Sequence, residues 1–160
     1  MKPFLLIFLT VCFAYFANAQ DVTLKQLQGT WRLSAYEEPD FSLNYDTEEY
    51  VTVADIQSRY KPEELQVFLD DLVRMLQTGK DTYLDFKGDT VTIKSGDAIQ
   101  NKHDVRLQND DYGQTICSFI YSHGWNEPDI SEDYTVYVIK DKLYMIQPDG
   151  QVKRVYIKEP

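Results

Sequence analysis

Cysteine is nearly missing from this chain: its 160 residues hold two, Cys12 and Cys117. One of them lies in an N-terminal leader, so no disulfide within the mature chain is expected. Cys117 sits in the apolar stretch TICSFIY, where it reads as a small buried hydrophobe. Histidine is as scarce. His103 and His123 stand far apart, and no motif sets a nucleophile beside a base and its orienter. There is no H-E-x-x-H or C-x-x-C pattern for zinc, no glycine-rich phosphate loop and no N-x-S/T acceptor. Basic clusters are also lacking. With 26 acidic against 16 basic residues the formal charge is −10, which argues against nucleic acid and anionic membranes as partners. No catalytic residue, metal or cofactor is expected, and the chain does not read as an enzyme.

What is present begins with a leader. MKPFLLIFLTVCFAYFANA carries Lys2, an apolar run from Phe4 to Phe16, and the small-x-small ending Ala17-Asn18-Ala19. The run is short of the roughly 20 residues a spanning helix needs. It reads as a secretory signal cleaved after Ala19, which places the protein outside the cytoplasm, secreted or periplasmic, with no membrane span after cleavage. A lipoprotein alternative at Cys12 is disfavoured by the bulky Val11 before it. Residues 20–160 read as one domain, without repeats or low-complexity tracts.

Within that domain, GTWRLSAYE alternates, with Trp31, Leu33 and Ala35 on one face and Arg32, Ser34 and Tyr36 on the other. EPDFSLNYDTEEY follows as an acidic loop or ragged edge. Its carboxylates lack calcium-loop spacing and read as a solvated surface. Thr52–Asp55 resembles a capping box opening a short helix through Arg59. Pro62 then opens a helix to about residue 78, with Leu65, Phe68, Leu69, Leu72 and Leu76 on one stripe and Gly79 as a left-handed cap.

Beyond Gly79 the period changes to two. TYLDF and TVTIK flank a Lys87-Gly88-Asp89 turn, and HDVRLQ, TICSFIY, DYTVYVI, KLYMIQ and QVKRVYIK follow. Short links predict antiparallel pairing. The fold class is mainly β: an antiparallel up-and-down β-barrel of about eight strands with a two-helix insertion after the first strand.

Three stretches carry a family resemblance. Gly29-Thr30-Trp31 matches a G-x-W at the first strand, LDFKGDTVTIKS a β-hairpin, and Arg154 with Tyr156 in KRVYIK a closing R-x-Y. Together they resemble the calycins, the superfamily of lipocalins and fatty-acid-binding proteins, and small secreted bacterial lipocalin-like domains most of all. The resemblance implies that Trp31 packs across the barrel base, with Gly29 letting the chain turn in. It also implies a small hydrophobic or amphipathic ligand, fatty-acid-like, held by Arg154 and Tyr156. A second arginine usual in fatty-acid-binding proteins is missing, and Tyr137 stands near its place.

Three positions for Arg154 stay open: inward with Tyr156, outward with Val155 and Ile157 buried instead, or stacked over Trp31. One residue of register decides among them. A structural role outweighs ligand contact on general grounds, since folds reuse such residues for stability. The alternative function is a packed barrel acting as an envelope or extracellular interaction or inhibitor module. For that reading Trp125, in SHGWNEPD, is the residue placed for partner contact.

Overall fold

The computed structural model describes residues 21–96, 98–121 and 129–160. Its elements are α1 (Leu24–Leu27), β1 (Gly29–Glu38), β2 (Phe41–Asn44), β3 (Glu49–Thr52), α2 (Ile56–Arg59), α3 (Pro62–Gly79), β4 (Thr82–Lys87), β5 (Thr90–Ser95), β6 (Ala98–Asn109), β7 (Thr115–Tyr121), β8 (Ile130–Ile139), β9 (Lys142–Ile146) and β10 (Lys153–Lys158). From β4 to β10 each strand pairs with the next, β1 pairs with β4, and β10 returns to β1. Eight strands therefore form a closed antiparallel barrel. All eight alternating segments read from the sequence are these strands.

Turn chemistry fixes the meander. The link between β4 and β5 is the two-residue turn Gly88-Asp89, with Gly88 at φ 62°, a conformation that a glycine adopts without strain. Along the barrel strands every second residue faces the core. On β8 these are Tyr134 and Val136, and on β9 Leu143 and Met145. Packed side chains fill much of the lumen: Trp31, Phe86, Val91, Cys117, Val136 and Leu143 are each at most 1% exposed.

The strand directions define two ends, and the N-terminal segment plugs one of them. Val22 donates its backbone N–H to Thr115 Oγ1 at the start of β7, 3.0 Å away. Leu27 is fully buried, and its carbonyl accepts from Trp31 Nε1 at 2.6 Å. Lys158 stands 5.1 Å from the centre of the Trp31 ring. Gly29 holds φ 108°, where a side chain is strained, and a Cβ there would stand 3.3 Å from Lys158 Cε. Chain entry and indole plug are thus built together.

Several local expectations give way to the structure. EPDFSLNYDTEEY is not a loop but contains the β2–β3 hairpin, which pairs with the second half of β1 and precedes the helices. The capping box at Thr52–Asp55 does not form. Thr52 ends β3, and Asp55 is the N-cap without a side-chain bond. Gly79 is no left-handed cap; it is the last residue of α3 and lies against the Tyr45 ring.

On β1 the alternation is kept only to Leu33. A bulge between Leu33 and Ala35 shifts the phase, so Tyr36 turns inward opposite Arg154. On α3, Leu72 and Leu76 are buried while the helix packs on β2 and β3. Phe68 meets Phe41 edge-on and stacks on Tyr60. No helix among the described residues is long and apolar enough to cross a membrane.

Candidate functional site

The register of the last strand settles the direction of Arg154. Tyr36 pairs with Arg154 and Leu33 with Tyr156, so these four share the inner face, and Tyr156 is 4% exposed. Arg154 lies between two rings, its guanidinium carbon 5.6 Å from the centroids of both Tyr36 and Tyr134. It does not stack on Trp31; Lys158 occupies that position.

No carboxylate of the described residues lies within 4.0 Å of the guanidinium. Burial alone would lower the Arg154 pKa. The Coulombic pull of Tyr156, Tyr134 and Tyr36, which carry charge only once their phenols ionise, together with a bond to Tyr134, outweighs that and leaves it above the ordinary value. Burial also pushes Tyr156 up to about 12, so the ring stays a neutral phenol.

Arg154 borders a cavity of about 220 Å³ inside the barrel, in the half away from the Trp31 plug. Leu84, Ile93, Phe119 and Met145 supply apolar wall. Tyr134, Tyr156 and Glu132 supply polar groups beside Arg154. Pockets for drug-sized ligands run from about 300 to 1,000 Å³. A space of this size suits a molecule of a few carbons and is too small to hold a whole long acyl chain.

The ligand-contact tyrosine placed at Tyr137 needs correction. Tyr137 is on the outer face of β8, donates to Gln114 Oε1 at 3.2 Å, and pairs across strands with Tyr144. Tyr134 is the tyrosine of that strand that enters the lumen. Trp125 and His123 lie outside the described residues.

Three residues in or beside the site escape the motif reading: Tyr36, Glu132 and His103. Glu132 accepts from Tyr134 Oη at 2.7 Å. Burial, and after it the nearby Glu132 carboxylate, pushes the Tyr121 phenol up to about 12. His103 is 5% exposed, its ring centre 4.0 Å from that of Tyr121, and its Nε2 has no hydrogen-bond partner among the described residues. Burial lowers its pKa, and the charge of Glu132 opposes this. The signal for His103 is the alternation His103, Val105, Leu107, which puts the histidine on the core face of β6.

Two rival locations carry less chemistry. A groove of about 410 Å³ between β3 and α3 is lined by Tyr50, Val73 and Leu76 and spanned by the Lys80–Glu48 pair. Among the described residues no buried polar group converges on it. The acidic stretch is taken up by ion pairs: Glu37 with Lys153, Asp40 with Arg59, and Asp46 with Arg32. No three His, Cys, Asp or Glu side chains among the described residues gather as metal ligands. Burial pushes the Cys117 thiol up to about 12, as befits an inert core residue. No family model, curated protein or solved structure matches the chain, so the closed antiparallel eight-stranded barrel, compatible with a calycin-like fold, is what places it.

Proposed function

We propose that the protein is a lipocalin-like binding barrel, exported by its N-terminal leader, that holds a small amphipathic anion and performs no chemistry on it. The anionic head lies on Arg154 between Tyr36 and Tyr134, and the apolar body lies along Ile93, Phe119 and Met145. One observation carries the reading: an inward guanidinium, without a carboxylate partner among the described residues, borders an interior cavity. A charge so placed costs free energy unless an anion completes it. The size of the cavity changes the expected ligand from a long fatty acid to a short-chain carboxylate, or to one whose tail leaves through the mouth.

Calorimetric titration of the purified protein with acetate through octanoate tests this. Binding is expected, weakened about ten- to hundredfold by Arg154→Gln, the range set by hydrogen bonds to charged groups. No uptake, or uptake that ignores Arg154, overturns it. The second reading, a packed barrel acting through its outer surface, is favoured by how much of the lumen its own side chains fill. Absence of uptake across the whole series selects it.

A further inference from the structure

The cavity beside Arg154 has a second pole. Glu132 borders the same 220 Å³ space, on the inner face of β8 with Tyr134 and Val136. Glu132 is exposed at the open end of the barrel, and a phenol of the same strand holds its carboxylate there. Tyr134 donates to it at 2.7 Å. That bond uses one of its roughly four acceptor positions.

Yet Glu132 and Arg154 do not form a salt bridge within 4.0 Å, although both border one small cavity. The Tyr134 ring accounts for the separation. Its face lies 5.6 Å from the guanidinium carbon while its hydroxyl holds the carboxylate. A fixed cation and a fixed anion, kept apart by a phenol, are the complement of a molecule carrying both charges.

Resting on the reading of Arg154 as an anion site, we infer that the ligand is a small zwitterion of the amino-acid class, its carboxylate on Arg154 and its ammonium on Glu132. A plain carboxylate satisfies the guanidinium but leaves Glu132 facing added negative charge. A zwitterion satisfies both poles and leaves the cavity neutral. Selectivity then comes from Glu132 as well as from Arg154, and ligand length is set by the distance between them.

Two matched series test the inference on the purified protein by calorimetry. One is acetate, propionate, butyrate and valerate. The other is glycine, β-alanine, γ-aminobutyrate and δ-aminovalerate, the same carboxylates with a terminal ammonium. At the best-fitting length the amino acid is expected to bind about tenfold or more tightly than its carboxylate, the scale of one added charge-assisted hydrogen bond. Glu132→Gln, which keeps an acceptor for the Tyr134 phenol, is expected to abolish that preference while preserving or improving carboxylate binding.

Carboxylates that bind as well as the amino acids at every length overturn the zwitterion and leave the anion site standing. A preference that survives Glu132→Gln overturns the role of Glu132. If neither series binds, the anion site and the inference fall together.

Discussion

Gly79 shows how a residue's role depends on what stands opposite it. A glycine inside a helix ordinarily costs about 1 kcal/mol relative to alanine, so Gly79→Ala on propensity alone would stabilise α3. Here a Cβ would meet the Tyr45 ring 2.4 Å from Cε1, and Tyr45 is 6% exposed with little room to move. Gly79→Ala is therefore expected to destabilise by about 1–3 kcal/mol, the cost of overpacking. Gly79→Ala in a Tyr45→Leu background should recover the helix gain, and urea midpoints of the three variants measure both signs.

His103 supports a prediction of the opposite kind. Its Nε2 has no partner among the described residues and its pKa is lowered, so the fold holds the neutral ring. The unfolded chain takes up a proton near pH 6.5, and stability falls as pH drops below that value toward the folded pKa. His103→Leu should remove this slope, though Glu132 and Tyr121 remain beside the site, and should stabilise at neutral pH by about 1–2 kcal/mol. Unfolding curves from pH 5 to 8 check it; an unchanged slope sinks the idea.

At the scale of elements, legibility follows from whether alternation survives exposure. The eight barrel strands have one face in the core, so their pattern is written in residue type. The β2–β3 hairpin has Phe41, Leu43 and Tyr45 as its buried row, but they are surrounded by acidic residues and joined to a strand, Glu49–Thr52, that is almost wholly exposed. That composition reads as a loop. The bulge in β1 is equally silent, because an inserted residue leaves no mark in residue type. The phase shift it causes is why Tyr36 belongs to the interior site. For the same reason the sequence leaves Arg154 between three positions, and only the pairing with β1 selects one.

The β4–β5 hairpin has a polar device of its own. Asp85 is 8% exposed at its side chain and is bonded by Lys94 at 2.9 Å and Lys87 at 3.0 Å. Burial alone would raise its pKa, but the two ammonium groups outweigh this and hold the carboxyl below its ordinary value. With the unfolded value near 3.9, the stabilisation is complete above about pH 4 and is lost as pH falls through the folded pKa. Asp85→Asn should cost about 1–2 kcal/mol at pH 7, the exposed Lys87 adding little, and should flatten part of the acid limb. An acid limb identical to that of the parent protein would count against the assignment.

For the whole molecule, closure is the defining event. The first and last strands run antiparallel, Trp31 opposite Lys158 and Glu37 opposite Lys153, and Glu159 donates its backbone N–H to Thr30 at 2.9 Å. Every other neighbouring pair of barrel strands except β1–β4 is joined by a short connection, so the chain is a ring of hairpins with two long-range pairings, β1–β4 across the inserted hairpin and helices and β1–β10 at the seam between its ends. Wherever such a ring is cut at a hairpin link, the opened pair becomes long-range in place of the seam, and the loop-closure entropy that slows folding is nearly the same.

A circular permutant makes this testable. Residues 21 and 160 would be joined by a Gly/Ser linker of about eight residues, reaching up to about 28 Å across the plugged base. The chain would be opened in the exposed turn between Tyr112 and Gly113. The permutant should melt cooperatively and fold within about tenfold of the parent rate, because the β6–β7 pairing takes over the long-range role that β1–β10 gives up. Stopped-flow refolding decides the matter. A collapse of cooperativity would show that the β1–β10 hydrogen bonds need the native chain order, and that the N-terminal plug beneath Trp31 forms before the barrel closes.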